Sequence, residues 1–152
     1  MPVRVQSADF DLGAEVALLR GANRAVGAIA SFVGTVRDLN TVASETAPVE
    51  GLALEHYPGM TERALEDICV EARSRWRVID TLIVHRVGDL APGDQIVLVV
   101  VTSGHRGDAF AACEFIMDYL KTRAPFWKKE QTPEGERWVE ARASDDDQAA
   151  RW

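Results

Sequence analysis

The chain has 152 residues, a length that suits one domain with a buried core of ordinary size. Its composition, with 47% apolar and 27% charged residues, is typical of a soluble globular protein. The net charge of −7, from 17 Lys and Arg against 24 Asp and Glu, disfavours general nucleic-acid binding, which needs a broad basic surface.

Neither a targeting signal nor a membrane span is expected. The opening MPVRVQSADF lacks the apolar core of a signal peptide, and the longest apolar run, IVLVVV at 96–101, is too short to span a bilayer. Cys69 and Cys113 each lie within a helical pattern, so we expect two reduced core thiols and a cytoplasmic protein. A catalytic cysteine is the alternative, although no histidine lies near either one in the sequence. The cysteines and histidines show no metal-ligand spacing, so we expect no metal, no cofactor and no disulfide.

The first quarter of the chain predicts a strand, a helix and a second strand. VRVQ at 3–6 reads as a strand, and a helix follows with Asp11 as its N-cap and Gly21 just past its end. The segment 25–37 is rich in strand formers and small residues, and its glycines indicate a bulge or a close approach of backbones. The polar, aperiodic segment 38–48 predicts a mobile loop.

The alternating pattern of 49–57 predicts a strand, and a helix opens near Pro58. Residues at helical spacing mark the expected apolar face of that helix: Met60, Ala64, Ile68 and Ala72.

Two strong strands, IDTLIVHRVG and QIVLVVVTS, flank the turn sequence DLAPGD and predict a hairpin. The second strand is apolar on both faces, so we expect it at the centre of a sheet. The segment 104–124 is the clearest helix, and Pro125 ends it. Its expected apolar face carries Ala109, Ala112, Ile116 and Leu120.

A C-terminal hairpin is predicted where FWKKEQ and ERWVEAR flank TPEG, and 143–152 reads as a loosely held tail. The elements together predict the α+β class, with an antiparallel or mixed sheet and two principal helices packed on it. We expect one domain over 1–152.

A cationic segment follows the long helix. DYLKTRAPFWKKE at 118–130 carries four cations between Lys121 and Lys129 and no carboxylate among them. Lys121 alone is well explained as a lysine that complements a helix C-terminus, and Lys128 alone as an exposed strand residue. If the proline turn brings the two together, the cluster suits an anion, and Phe126 and Trp127 offer flat apolar surface for a ring.

Two further segments suit anions. His105 and Arg106 follow a central strand at the start of the long helix, where backbone N–H groups are free. Arg37 ends a strand and has the fork geometry that binds carboxylate or phosphate. A capping role for His105 and a surface role for Arg37 are the alternatives.

These segments carry a family resemblance. LEHYPGMTERAL, HRVGDLAPGD, VTSGHR, FIMDYLKTRAPFWKKE and GERWVEAR, in this order, resemble the catalytic large subunit of molybdopterin synthase. The resemblance extends from about Gly27 to Trp152, and YLKTRAPFWK is its most specific part.

The resemblance implies an α/β-hammerhead-type fold and a sulfurtransferase of molybdenum cofactor biosynthesis. Such an enzyme converts cyclic pyranopterin monophosphate into the dithiolene molybdopterin, with sulfur from the C-terminal Gly-Gly thiocarboxylate of a small ubiquitin-like carrier. It implies a homodimer within a heterotetramer, with Lys121 and Lys128 as the catalytic residues. The implied substrate-binding residues are Thr35, Val36, Arg37, His105, Arg106, Lys121, Lys128, Lys129 and Glu130.

Two positions depart from the family pattern, because Thr35 stands where lysine is common and Lys129 where arginine is common. The chain ends in AARW rather than Gly-Gly, so we expect it to accept sulfur from the carrier and not to be the carrier. Two rival hypotheses stay open: a noncatalytic subunit that binds an anion or a carrier tail, and an interaction protein whose FWKKE strand docks an extended tail. The sequence does not rank the two lysines as proton-transfer groups.

Overall fold

The computed structural model describes residues 2–37, 50–133, 135–139 and 143–152, so the predicted loop at 38–48 lies outside the described residues. The described elements, in chain order, are β1 (Val3–Gln6), α1 (Leu12–Arg20), β2 (Ala28–Thr35), β3 (Gly51–His56), α2 (Met60–Arg75), β4 (Val78–Arg86), β5 (Gly88–Leu90), β6 (Gln95–Ser103), α3 (Arg106–Arg123), β7 (Phe126–Thr132), β8 (Gly135–Val139) and α4 (Ala143–Ala150). This mixed α+β architecture confirms the predicted class.

The first sheet has the strand order β1-β4-β6-β2, in which only the β1–β4 pair is parallel. Strand β6 lies between β4 and β2, and its residues 97–103 are all buried. The prediction of a central strand is therefore confirmed. The glycine-marked strand β2 has a register shift at Gly34, as its sequence indicated.

Helices cover both faces of this sheet. Helices α2 and α3 pack with Val97, Val99 and Val101 of β6, whereas α1 lies on the opposite face over Leu98 and Val100. The predicted cap of α1 is confirmed, because the Asp11 carboxylate accepts from the Ala14 N–H and Gly21 follows the last residue with φ 52°.

The buried face of α2 differs from the predicted one, which is a correction. Met60 is 60% exposed, and the buried residues are Thr61, Leu65, Ile68, Cys69 and Ala72. A strict four-residue spacing drifts by about 40° per step around a helix of 3.6 residues per turn, so Met60 points well away from Ala72. In α3 the predicted face is confirmed, because Ala109, Ala112, Ile116 and Leu120 are all buried.

A second sheet, which the sequence did not predict as separate, has the order β5-β3-β7-β8. Strands β4 and β6 pair in antiparallel fashion as predicted, but the segment between them contains β5, which pairs with β3 instead. Gly88 and Gly93, near the two ends of the segment between β4 and β6, have φ of 92° and 91°, values that only glycine adopts readily. The predicted C-terminal hairpin is the β7–β8 pair.

The C-terminal segment differs from the loosely held tail that the sequence predicted. It forms α4, and the Trp152 ring packs edge-on against Trp76 and Phe115, with ring centroids 5.3 and 5.8 Å apart. Its indole N–H donates to Asp118 of α3. The apolar packing and the hydrogen bond of the Trp152 indole together attach the C-terminal segment to the rest of the fold. Among the described helices, none has the length and apolar character needed to cross a membrane.

Candidate active site

The topology brings the end of α3 to the end of β4. Strand β6 runs antiparallel to β4 and ends at Ser103, where the chain turns and α3 returns over the same face of the sheet. The last turn of α3, with Lys121, therefore arrives near the residues that end β4. The second sheet begins there too, because β7 follows α3 directly after Ala124 and Pro125.

His85, near the end of β4, is a buried polar residue at this junction. Its side chain is 3% exposed, and its ring stacks on Phe126 of β7 with centroids 3.8 Å apart and planes 18° apart. Nδ1 lies 2.8 Å from the Arg86 carbonyl oxygen. A carbonyl only accepts, so Nδ1 donates, and in the neutral ring Nε2 is the nitrogen that carries the lone pair.

The charges of both predicted lysines act on His85. The pKa of His85 is lowered to about 3, mainly by burial and to a lesser extent by the charges of Lys128, Lys121 and His56, while the hydrogen bond to the Arg86 carbonyl acts in the opposite direction. Like charges reach a buried group in this way only at short range. Lys121 and Lys128 are therefore both within electrostatic range of His85, whose imidazole is neutral at physiological pH.

Strand alternation divides the residues of β7 between its two faces. Phe126, Lys128 and Glu130 share the inner face, because successive side chains of a strand point to opposite sides. Lys128 is half-buried and Glu130 is 6% exposed. His56 of β3 lies directly opposite Phe126 and so belongs to the same face. The inner face of β7 therefore carries a half-buried cation, Lys128.

Lys129 lies on the outer face of β7, opposite to Lys128. Its ammonium group pairs with Glu136 at 2.9 Å and lies 5.0 Å from the centre of the exposed Trp138 ring. The hydrogen bond and charge of Glu136 raise the pKa of Lys129. The outer face also carries Trp127, which is 45% exposed and is therefore not the ring surface that adjoins Lys128.

The three predicted residues that end β2 have different surroundings. Thr35 and Arg37 are exposed. Val36 is 3% exposed and packs with Leu52 and Leu90, its N–H donates to the Asp94 carbonyl, and its carbonyl accepts from Gly93. The side chain and both backbone groups of Val36 thus make contacts within the fold.

His105 and Arg106 lie at the opposite end of α3 from Lys121. His105 is the N-cap residue, Arg106 begins the helix, and both are exposed. The rise of an α-helix separates His105 from Lys121 by roughly 24 Å. One copy of the chain thus brings Lys121 and Lys128 together but leaves His105 and Arg106 apart from them.

The sequence analysis did not identify three residues of the candidate site: His85, His56 and Thr61. The Thr61 hydroxyl donates a hydrogen bond to the carbonyl oxygen of Pro125, in the turn between Lys121 and Lys128. A histidine at the end of an apolar strand was the available signal for His85. The lysine distribution was a stronger signal for the site itself, because Lys121, Lys128 and Lys129 are all the lysines of the chain.

The two cysteines lie in the core, as predicted. Cys69 is 1% exposed and Cys113 is 7% exposed, and burial raises the pKa of both thiols, that of Cys113 to about 11. A protonated, buried thiol is a poor nucleophile. Within the described ranges, no group of three or more His, Cys, Asp or Glu side chains is placed to hold a metal ion.

Comparisons with known proteins give one consistent result. A family model described as MoaE protein matches residues 5–123. A molybdopterin synthase catalytic subunit of Ralstonia nicotianae is 63% identical over 150 residues, covering 99% of this chain and 83% of the relative. One of Pseudomonas aeruginosa is 55% identical over 152 residues, covering 100% and 99%. The solved structure of a molybdopterin biosynthesis MoaE protein from Burkholderia ambifaria superposes with a TM-score of 0.83 at 63% identity, covering 99% of this chain and 96% of that one.

Proposed function

This chain belongs to the MoaE protein family, and from that premise we propose that it is the catalytic subunit of a molybdopterin synthase. In this function it transfers sulfur from the C-terminal thiocarboxylate of a small ubiquitin-like carrier to cyclic pyranopterin monophosphate. The product is the dithiolene of molybdopterin. The two free, buried thiols suit the reducing cytoplasm, which we propose as the compartment.

Lys121 and Lys128 lie on either side of the turn between α3 and β7, where the charges of both act on the buried His85, and this placement is the observation that carries the proposal. The substrate joins a cyclic phosphate to a pterin, and the incoming thiocarboxylate is a second anion. Two cations from different elements match both charges, and the partly exposed ring of Phe126 offers apolar surface for the pterin. A site with the cations alone would suit a phosphate but would give a heterocycle no contact.

The surroundings of the two lysines suggest separate roles. Lys121 projects from the last turn of α3, is exposed, and is free to follow the reacting atoms, so we assign it the proton transfers of sulfur addition and oxygen elimination. Lys128 is half-buried on the inner face of β7, so we assign it the binding of phosphate or of the carrier carboxylate.

A second copy of the chain would complete the anion site. His105 and Arg106 are exposed at the far end of α3, beyond the reach of the lysines of their own chain. We propose that they act at the lysine site of a partner subunit, in a homodimer that binds two carriers as a heterotetramer. Arg37 and Thr35, both exposed at the end of β2, contribute to the same substrate-binding surface.

The direct test is reconstitution. The purified chain is incubated with cyclic pyranopterin monophosphate and thiocarboxylated carrier, and the dithiol is trapped by alkylation and identified by mass spectrometry. Product that depends on this chain supports the enzyme and eliminates the noncatalytic subunit and the tail-docking protein. Binding of the carrier without product at any ratio of the components would instead favour the noncatalytic subunit.

A further inference from the structure

The turn between α3 and β7 determines how the two lysines are arranged. This proline turn, residues 124–126, leaves Lys121 on the helix before it and Lys128 on the strand after it. The Phe126 N–H donates to the Ala124 carbonyl at 2.9 Å, which closes a three-residue turn, and the ring of Pro125 fixes its own φ. A change of angle at this turn would therefore move one lysine relative to the other.

Thr61, from the first turn of α2, is hydrogen-bonded to this turn. Its hydroxyl donates to the Pro125 carbonyl oxygen at 2.9 Å and accepts from the Tyr57 N–H at 2.9 Å. The side chain is fully buried. A hydroxyl has a single proton to donate, so Thr61 commits it to the proline turn, 64 residues away in the chain.

A second contact holds the same turn from the other side. The His85 ring, fixed by its bond to the Arg86 carbonyl, stacks on Phe126, the last residue of the turn. The turn is thus held by α2 through a hydrogen bond and by β4 through an aromatic stack. Two contacts from different directions leave it little freedom to rotate.

We propose that Thr61 is a positioning residue for sulfur transfer: its hydroxyl, by holding the Pro125 carbonyl, sets the placement of Lys121 relative to Lys128. This inference rests on the proposed function. Thr61 acts through the turn, since the one proton of its hydroxyl is donated to the Pro125 carbonyl oxygen. A displacement of about 1 Å in a catalytic group can lower a rate by about 100-fold, so a single buried bond is enough to matter.

Three variants separate this role from ordinary stabilisation. Thr61→Val keeps the shape and removes the hydroxyl, whereas Thr61→Ser keeps the hydroxyl and removes a methyl group. Thr102→Val is the matched control, because Thr102 is also fully buried and its hydroxyl also accepts from a backbone N–H, that of Asp80 at 3.0 Å. That bond lies at the opposite end of the first sheet from His85.

The enzyme is assayed in single turnover with precursor and thiocarboxylated carrier, at a temperature where every variant is folded. Thr61→Val should lower the rate about 10- to 100-fold with less than about a threefold change in the apparent KM for the precursor. Thr61→Ser and Thr102→Val should stay within about threefold of the unmodified chain. If Thr61→Val does not fold, Pro125→Gly loosens the same turn without removing the hydroxyl, and the same loss is expected.

A spectroscopic measurement makes the test independent of activity. Reductive ¹³C-methylation gives signals from only three lysine side chains, Lys121, Lys128 and Lys129. Thr61→Val should shift the first two and leave Lys129, on the outer face with Glu136, unchanged. Thr102→Val should shift none of the three.

The outcomes distinguish the two proposals. An unmodified chain that yields no dithiolene refutes the proposed function, and the role of Thr61 falls with it. Product at the normal rate from Thr61→Val, or equal losses in Thr61→Val and Thr102→Val, refutes the positioning role alone.

Discussion

Replacing His85 by Phe should reduce the loss of folding stability that the chain undergoes as the pH falls below 6.5. The phenyl ring keeps the stack on Phe126 but cannot be protonated. In the native chain the pKa of His85 is lowered from 6.5 to about 3, mainly by burial and then by the charges of Lys128 and Lys121. As the pH falls below 6.5, the unfolded chain binds a proton at this position that the folded chain does not bind, so stability is lost.

The size of the effect follows from linkage. Each pH unit between the two pKa values costs about 1.4 kcal/mol, so the His85 contribution to the free energy of unfolding should fall by about 3 kcal/mol between pH 6.5 and about pH 4.5. The variant should start about 1–3 kcal/mol less stable at neutral pH, because the Arg86 carbonyl loses its donor. The difference in the free energy of unfolding between the variant and the unmodified chain should then decrease as the pH falls.

Urea denaturation followed by tryptophan fluorescence, repeated from pH 8 to about pH 4.5, measures this difference. Other groups titrate in both proteins and cancel in the comparison. His105→Phe is the control, since it removes an exposed histidine and keeps His85, and it should keep the slope of the unmodified chain. Parallel profiles for His85→Phe and the unmodified chain would mean that folding does not lower the pKa of His85, and the effect ascribed to burial and to the two lysines would be wrong.

Three further predictions concern the reaction and the core. Lys121→Arg keeps the charge but cannot release a proton at neutral pH, so the single-turnover rate should fall about 10²- to 10⁴-fold; a near-normal rate would leave Lys121 an electrostatic role only. Lys128→Ala should instead raise the apparent substrate constant in steady-state assays as well as slow the reaction, and an unchanged constant would remove its binding role. Replacing both Cys69 and Cys113 by Ala should leave activity within about twofold once folding is confirmed by circular dichroism, because burial raises the pKa of both thiols, and lost activity in a folded variant would restore a catalytic cysteine.

Elements specified by adjacent residues could be predicted from the sequence. Asp11 and Gly21 bound α1 because a cap acts within one turn of its own helix, and Pro125 ends α3 for an equally local reason. The second sheet could not be predicted in this way. Strands β3 and β7 are separated by about half of the chain, and β5 has only three residues, too few to show a period.

The same distinction applies to the site. Lys121 and Lys128 were found from the composition of one short segment. Thr61 and His85 lie in ordinary helix and strand sequences, and each gains its role only through a contact with the proline turn. Long-range contacts of this kind leave no local pattern, so residues that position a site are harder to predict than those that carry its charge.

Lys128 and Lys129 show why local charge alone overstates a site. They are identical neighbours in the sequence, yet the alternation of β7 places Lys128 on the inner face and Lys129 in an ion pair with Glu136 on the outer face. Within one chain, the cations at the inner site are therefore fewer than the segment suggests. His85 adds no charge there, because burial and the lysines keep it neutral. A neutral ring adds no third cation beside the two ammonium groups, and we propose that exposed residues such as His105 and Arg106 of a second copy supply the remaining positive charge.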